Sequence, residues 1–220
     1  MGKIKQGVLG GFSGKVGTVV GSSWKGVAYM RGKAEHVNNP QTAGQLAQRA
    51  KMELAHTYLK PAIPYLNLGL RDVAKNRSPF NYAVSHFVKN AISGDYPNFT
   101  IDYSKIILSH GPLIPVVMTK VECYGPNVSF LWKVNSESSN ADEYDIIMAF
   151  VINKDKAEVY YDMELAYRAD MSTQAHLPDS WLNDHIEVYY SMASEDYKLI
   201  SNSFYLGEFI ASVPEEEPEP

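Results

Sequence analysis

A chain of 220 residues, 45% of them apolar, can bury a core of its own and lacks the composition of a disordered or collagen-like sequence. Its single cysteine, Cys123, excludes an internal disulfide and a zinc site of the Cys-x-x-Cys type. The net charge of −5 conceals a polarity: residues 1–110 hold 14 Lys and Arg against 5 Asp and Glu, whereas residues 111–220 hold 6 against 20. Such an imbalance speaks to interaction partners rather than to fold.

The chain opens with Met1-Gly-Lys-Ile-Lys, basic enough for a signal peptide, but the apolar stretch that follows is only Val8-Leu9. Gln6 stands where a myristoylation motif needs Ser or Thr. No stretch approaches the ~20 apolar residues of a membrane span. The expectation is a protein without signal peptide or transmembrane segment, cytoplasmic or associated with a virion or other assembly.

Residues 7–33 carry glycines at 7, 10, 11, 14, 17, 21, 26 and 32, with Val16, Thr18, Val20, Trp24, Val27, Tyr29 and Met30 between them. This predicts short twisted strands in a β-hairpin arm turning at Gly21-Ser22-Ser23. Glycine weakens a strand and marks a bulge or a close backbone approach. Asn39-Pro40-Gln41-Thr42 then opens a helix, with Thr42 and Gln45 as a capping-box pair. Leu46, Ala47, Ala50, Leu54 and Tyr58 form its apolar stripe, and Pro61 and Pro64 end it. A second, weaker helix is predicted from Ile63 to Ala74. Ser78-Pro79 caps a third, with Phe80, Val84, Phe87, Val88 and Ala91 on one face and Gly94 as its stop.

Seven β-prone runs follow: Ile106–Leu108, Val116–Met118, Val128–Trp132, Tyr144–Ile152, Glu158–Tyr167, Ile186–Met192 and Leu199–Leu206. Regular turn formers between them predict an antiparallel sandwich, with Phe130, Trp132, Tyr144, Ile146, Met148, Val188 and Tyr190 facing inward. Cys123 is expected as a buried strand thiol. The fold class expected is α+β: an N-terminal β-hairpin arm, two to three helices, then an antiparallel immunoglobulin-like β-sandwich. The boundaries expected are 1–37 for the Gly-rich basic arm, 38–98 for the helices, 99–212 for the sandwich and 213–220 for a disordered acidic tail, Val213-Pro-Glu-Glu-Glu-Pro-Glu-Pro220.

The run Val128-Ser-Phe-Leu-Trp132, then Tyr144-Asp-Ile-Ile, then Val188-Tyr-Tyr-Ser-Met-Ala193 and Ser201-Asn-Ser resembles a fibronectin type III or related immunoglobulin-like domain over about half the chain. The N-terminal part, Gly14-Lys-Val-Gly17, Val20-Gly21, Lys25-Gly26, Arg31, Asn39-Pro40-x-Thr42-x-x-x-Gln and Arg49, resembles an uncharacterised bacterial protein family that continues into a β-rich C-terminal half. That second resemblance implies relatives and no activity.

The chemical motifs are poor. A phosphate loop needs Gly-x-x-x-x-Gly-Lys-Ser/Thr before a helix; here Leu9 stands where the first glycine belongs and Val16 follows Lys15. Gly11-Phe-Ser13-Gly14 lacks the Gly-x-Ser-x-Gly spacing. His176, Asp179, Asp184 and His185 could hold a divalent ion on one loop, but read more simply as a solvated connection beside Trp181. Glu143 and Asp145 read as carboxylates on a strand's solvent face. No enzyme activity, cofactor, metal or small-molecule substrate is expected.

The basic arm offers Lys3, Lys5, Lys15, Lys25, Arg31 and Lys33, with Arg49 and Lys51 on the first helix. Trp24 and Tyr29 interleave as anchors or stacking platforms. A two-stranded ribbon is marginal alone and must dock, either on the chain's own acidic sandwich or on the sheet edge of a neighbour. The expected function is therefore a structural or adhesive assembly subunit, bacterial or phage, self-associating through the arm. Its interaction residues are Lys15, Trp24, Lys25, Tyr29, Arg31, Lys33 and Arg49, and its partner is a second copy or another protein. The alternative is a nucleic-acid-associated protein using the same arm.

Overall fold

The computed structural model describes residues 3–4, 10–24, 27–36, 39, 41–75, 77–135 and 140–212. The predicted tail at 213–220 and the predicted interaction residue Lys25 lie outside the described residues. The chain divides into two compact units, Met1–Thr42 and Ala43–Pro220.

In the first unit, β1 (Lys3–Ile4), β2 (Phe12–Val16), β3 (Val19–Trp24) and β4 (Val27–Gly32) form a four-stranded antiparallel sheet in chain order. The predicted hairpin arm is thus a longer meander. Its predicted turn is also misplaced, because Gly21-Ser22-Ser23 lies inside β3. The reversal between β2 and β3 is Gly17-Thr18, where Gly17 takes φ +58°, a left-handed conformation that suits glycine. Gly21 pairs with Gly14 and Met30 in the ladder, and a methyl group there would overlap the Phe12 carbonyl and ring. Its missing side chain permits a close approach between strands and has no part in the turn.

The second unit begins with α1 (Ala43–Leu59), directly after Thr42. Ala55, Tyr58 and Leu59 are buried near its end, while Leu46, Ala47, Ala50 and Leu54 are half-buried. Pro64, expected to end this helix, instead sits in the first turn of α2 (Ile63–Gly69), where its missing N–H costs nothing. In α3 (Pro79–His86) the Ser78 hydroxyl accepts the Asn81 N–H at 3.2 Å, so the predicted cap forms. Residues Phe87–Ala91 widen into a π-helical turn before the hairpin of β5 (Ile92–Asp95) and β6 (Asn98–Ile101).

The sandwich follows. Strands β7 (Val117–Tyr124), β8 (Asn127–Lys133) and β11 (Ser172–His176) make one sheet, ordered β11-β8-β7. Strands β9 (Ile146–Asn153), β10 (Glu158–Tyr167), β12 (His185–Ala193) and β13 (Phe204–Ile210) make the other, ordered β10-β9-β12-β13. All pairings are antiparallel, and the two sheets pack on a shared apolar layer, so the chain is α+β. Phe130, Trp132, Ile147, Ala149, Val151, Val188 and Tyr190 fill the space between the sheets. The other face of the four-stranded sheet is buried too. Met148, Phe150, Ile152 and Tyr189 pack against Tyr58, Leu59, Tyr65 and Leu66 of α1 and α2. Tyr65 stands edge-on to Phe150 at 5.3 Å between centroids and bonds Ser191 Oγ at 2.6 Å. Burial raises its pKa above the ordinary phenol range.

Three expectations change here. Met148 faces the helices and Ile147 faces the opposite sheet, because a strand covered on both sides carries no alternation that tells the faces apart. Tyr144, expected inside, is 54% exposed. Residues 106–108 join no strand among the described residues, whereas polar Ser172–His176 forms β11 by pairing with β8. Cys123 lies on β7, half-buried.

Candidate functional site

Strand register decides which side chains of the N-terminal sheet share a face. Lys15 pairs with Val20 and Val20 with Arg31; Ser22 pairs with Tyr29, and Trp24 with Val27. Paired residues of an antiparallel ladder project to the same side, and so do residues two apart on one strand. Lys15, Trp24, Val27, Tyr29 and Arg31 therefore share one face, with Lys33 two residues beyond Arg31. The opposite face carries Phe12, Val16, Val19 and Met30. All six residues of β4 are exposed, with Trp24 at 67%, Val27 at 68% and Met30 at 70%. Among the described residues, two apolar core clusters are made by residues from Leu54 onward. This small sheet is held by its ladder and displays its large side chains.

Of the predicted interaction residues, the structure gathers Lys15, Trp24, Tyr29, Arg31 and Lys33. Arg49 belongs to the other unit, exposed on α1.

The loop predicted to be able to hold a metal does not converge. His176 Nδ1 is 2.9 Å from Asn127 and His185 Nδ1 is 3.0 Å from Asp155, while Asp184 pairs with Lys156 at 2.6 Å. Among the described residues no group of three or more His, Cys, Asp or Glu is placed to hold an ion. No helix among them is long and apolar enough to cross a membrane.

Asp145 corrects a second reading. It is 2% exposed, not on a solvent face, and accepts from Arg168 Nη2 at 2.8 Å and Nε at 3.1 Å. Arg168 is fully buried and also donates to Asn135 and to the Ile114 carbonyl. Its own carbonyl accepts from Trp132 Nε1 at 2.9 Å. Each guanidinium nitrogen is engaged, so this centre ties strand ends together.

Several concave regions of the second unit carry titratable groups, and two of them combine carboxylates with tyrosines. Beside β13, a groove of about 750 Å³ is lined by Tyr103, Lys154, Glu187, Tyr205 and Glu208 among others. Glu187, 2% exposed, accepts from Tyr205 at 2.6 Å and meets Lys154 at 3.2 Å. Burial first, and then this bond, push the Tyr205 pKa above the ordinary range. These groups satisfy one another.

The second region lies at the edge strand β10. A cleft of about 270 Å³ is lined by Ile146, Glu164, Ala166, Tyr167, Glu195 and Tyr197. Tyr144 and Tyr167 meet edge-on at 6.4 Å beside it. Glu143 raises the Tyr144 pKa by its charge and by a hydrogen bond, with smaller contributions from Asp142 and Glu195. None of Asp142, Glu143, Glu164 and Glu195 forms an ion pair among the described residues. No pattern in the sequence marked this cleft, because three separate segments build it.

The arrangement offers recognition chemistry: a cationic and aromatic sheet face in one unit, and an anionic, tyrosine-lined cleft in the other. Comparison with curated proteins finds no match. The family model does match, over residues 11–207, from the second strand of the N-terminal sheet into the last strand of the sandwich. The chain belongs to a family of unknown function (DUF6266).

Proposed function

We propose that this protein is a non-enzymatic structural or adhesive assembly subunit that self-associates through its N-terminal sheet. The observation that carries this reading is the sheet itself: an antiparallel meander with β4 exposed throughout and Trp24, Val27, Tyr29 and Met30 turned outward. Large exposed apolar side chains beside a free strand edge favour protein docking and edge pairing. Charge supports a second copy as the partner. Residues 1–42 hold 6 Lys and Arg against 1 Glu, while residues 43–220 hold 14 against 24 Asp and Glu. The strand order of the sandwich is that of fibronectin type III domains, an architecture widely used in adhesion; this is a likeness of fold and supports the reading only by analogy.

Light scattering of the full chain and of a chain lacking residues 1–33, at low and high salt, tests the proposal. The full chain scatters above monomer mass at low salt and less at high salt, because salt screens exposed charge pairs. The shortened chain stays monomeric. A full chain that is monomeric at every concentration and salt overturns the reading.

A second reading has its own observation. Trp24 and Tyr29 share a face with Lys15 and Arg31, the combination on which single-stranded nucleic acids stack. Filter binding with single-stranded DNA tests it. Retention at low salt that fades with salt supports it, and no retention at low salt removes it.

A further inference from the structure

The N-terminal sheet needs an acceptor, and two concave regions of the second unit combine carboxylates with tyrosines. The larger, beside β13, is the weaker candidate. Its carboxylates Glu187 and Glu208 are already bridged by Lys154, at 3.2 and 2.9 Å, and Asp102 is paired with Lys105 at 2.6 Å. A cation arriving there must displace an existing partner.

The cleft at β10 differs in each respect. Glu164, which accepts from the Tyr197 hydroxyl at 2.6 Å, and Glu195 line it, and Asp142 and Glu143 act on Tyr144 beside it; none of the four forms an ion pair among the described residues. The cations nearby are committed: Lys198 pairs with Asp196 at 2.6 Å, and Arg71 donates to the Tyr197 and Lys198 carbonyls and pairs with Asp72 at 3.7 Å. Ile146 and Ala166 line the cleft beside the carboxylates, and Tyr144 and Tyr167 are 54% and 49% exposed beside it. β10 ends its sheet and pairs with β9 alone among the described residues. Backbone edge, apolar lining, exposed aromatic rings and uncompensated negative charge therefore coincide.

The N-terminal sheet carries the complement of each. β4 ends its own sheet. Lys15 and Arg31, with Lys33 just beyond, share a face with Trp24 and Tyr29. Guanidinium groups pair with carboxylates and also lie over tyrosine rings.

We infer that the β10 cleft receives the cationic face of the N-terminal sheet of a second copy, with Arg31 and Lys15 meeting Glu143, Glu164 and Glu195, and Trp24 lying against Tyr144 and Tyr167. This rests on the proposed self-association and adds its acceptor. Two different surfaces meet, so the contact is heterologous and generates rings or filaments rather than a closed two-fold pair.

Charge reversal and mixing test it. One variant carries Arg31→Glu and Lys33→Glu; the other carries Glu143→Lys and Glu195→Lys, both exposed positions. Each variant should keep the wild-type melting temperature and associate at least about tenfold more weakly at low salt, since like charges face each other across the contact. Mixed together they should recover association, because each supplies the surface complementary to the other's altered one. If the wild type associates, loses association without residues 1–33, and yet tolerates the Glu143→Lys, Glu195→Lys pair, the cleft is the wrong acceptor while self-association stands. If the wild type is monomeric at low salt, both ideas fall. Mixing that restores nothing also rejects the cleft.

Discussion

Strands β4 and β9 are each paired antiparallel within four-stranded sheets, yet all six residues of β4 are exposed and all eight of β9 are buried. β4 is paired along one edge and β9 along both, and the covering layers differ as well. β9 lies between the helices and the second sheet, so each side chain leaves water, worth about 1.5–3 kcal/mol for a large apolar residue. β4 gains little of this from its own sheet. The comparison separates residues that hold the protein together by burial from residues that remain exposed to water.

The sharpest break of that contrast is Phe150→Ala. Phe150 is fully buried, with Tyr65, Tyr161 and Tyr189 around its ring. Its loss should cost about 3–5 kcal/mol, read as a lowered midpoint in urea. A change much below 1 kcal/mol would mean that the helical layer packs far more loosely than described. Arg168→Met belongs to the same range, about 3–5 kcal/mol, because it strands the Asp145 carboxylate in the interior. Tyr65→Phe removes only a hydroxyl and leaves Ser191 Oγ without that partner, about 1–3 kcal/mol by the same measurement.

Alkaline pH sharpens the contrast without mutation. Burial pushes the Tyr190 pKa up from 10.0 to about 12, against the opposing pull of the Arg168 charge. The unfolded chain loses this proton near pH 10 while the folded chain keeps it to about 12. Unfolding then releases a proton, so the contribution is complete below pH 10 and is lost as pH rises through 12. Tyr65, Tyr103, Tyr189 and Tyr205 are raised in the same direction by burial. Urea midpoints should fall steadily across that interval, and less steeply in Tyr190→Phe.

The smallest effect is expected in the first unit. Met30→Ala should change global stability by no more than about 0.5 kcal/mol, as for surface positions generally. A loss of several kcal/mol in a monomeric sample would show that β4 is structurally covered.

Much of this was legible in the chain, element by element. Ser78-Pro79 announced α3 because a side-chain cap is a local interaction, and the bounds of β10 fell where Asn153-Lys154-Asp155 and Tyr167 placed them. The interleaving of Trp24 and Tyr29 with basic residues was visible too, but the shared face needed the register that sets Lys15 against Val20 and Val20 against Arg31. β11 was missed because Ser172-Thr-Gln-Ala-His has little strand preference and is ordered by β8. The β10 cleft was missed because Tyr144, Glu164 and Glu195 lie far apart in the chain.

Local chemistry in the sequence alone determined the α+β class, the helix starts, the strand-rich second half, the charge polarity and the cationic composition of the first 42 residues. Only the tertiary structure decided that Gly21 serves strand approach rather than a turn, that β9 is covered on both faces, and that Asp145 is buried against Arg168. The division has one physical cause. Caps, turns and periodicity act between residues a few positions apart, whereas burial and charge pairing depend on which distant segments arrive beside them.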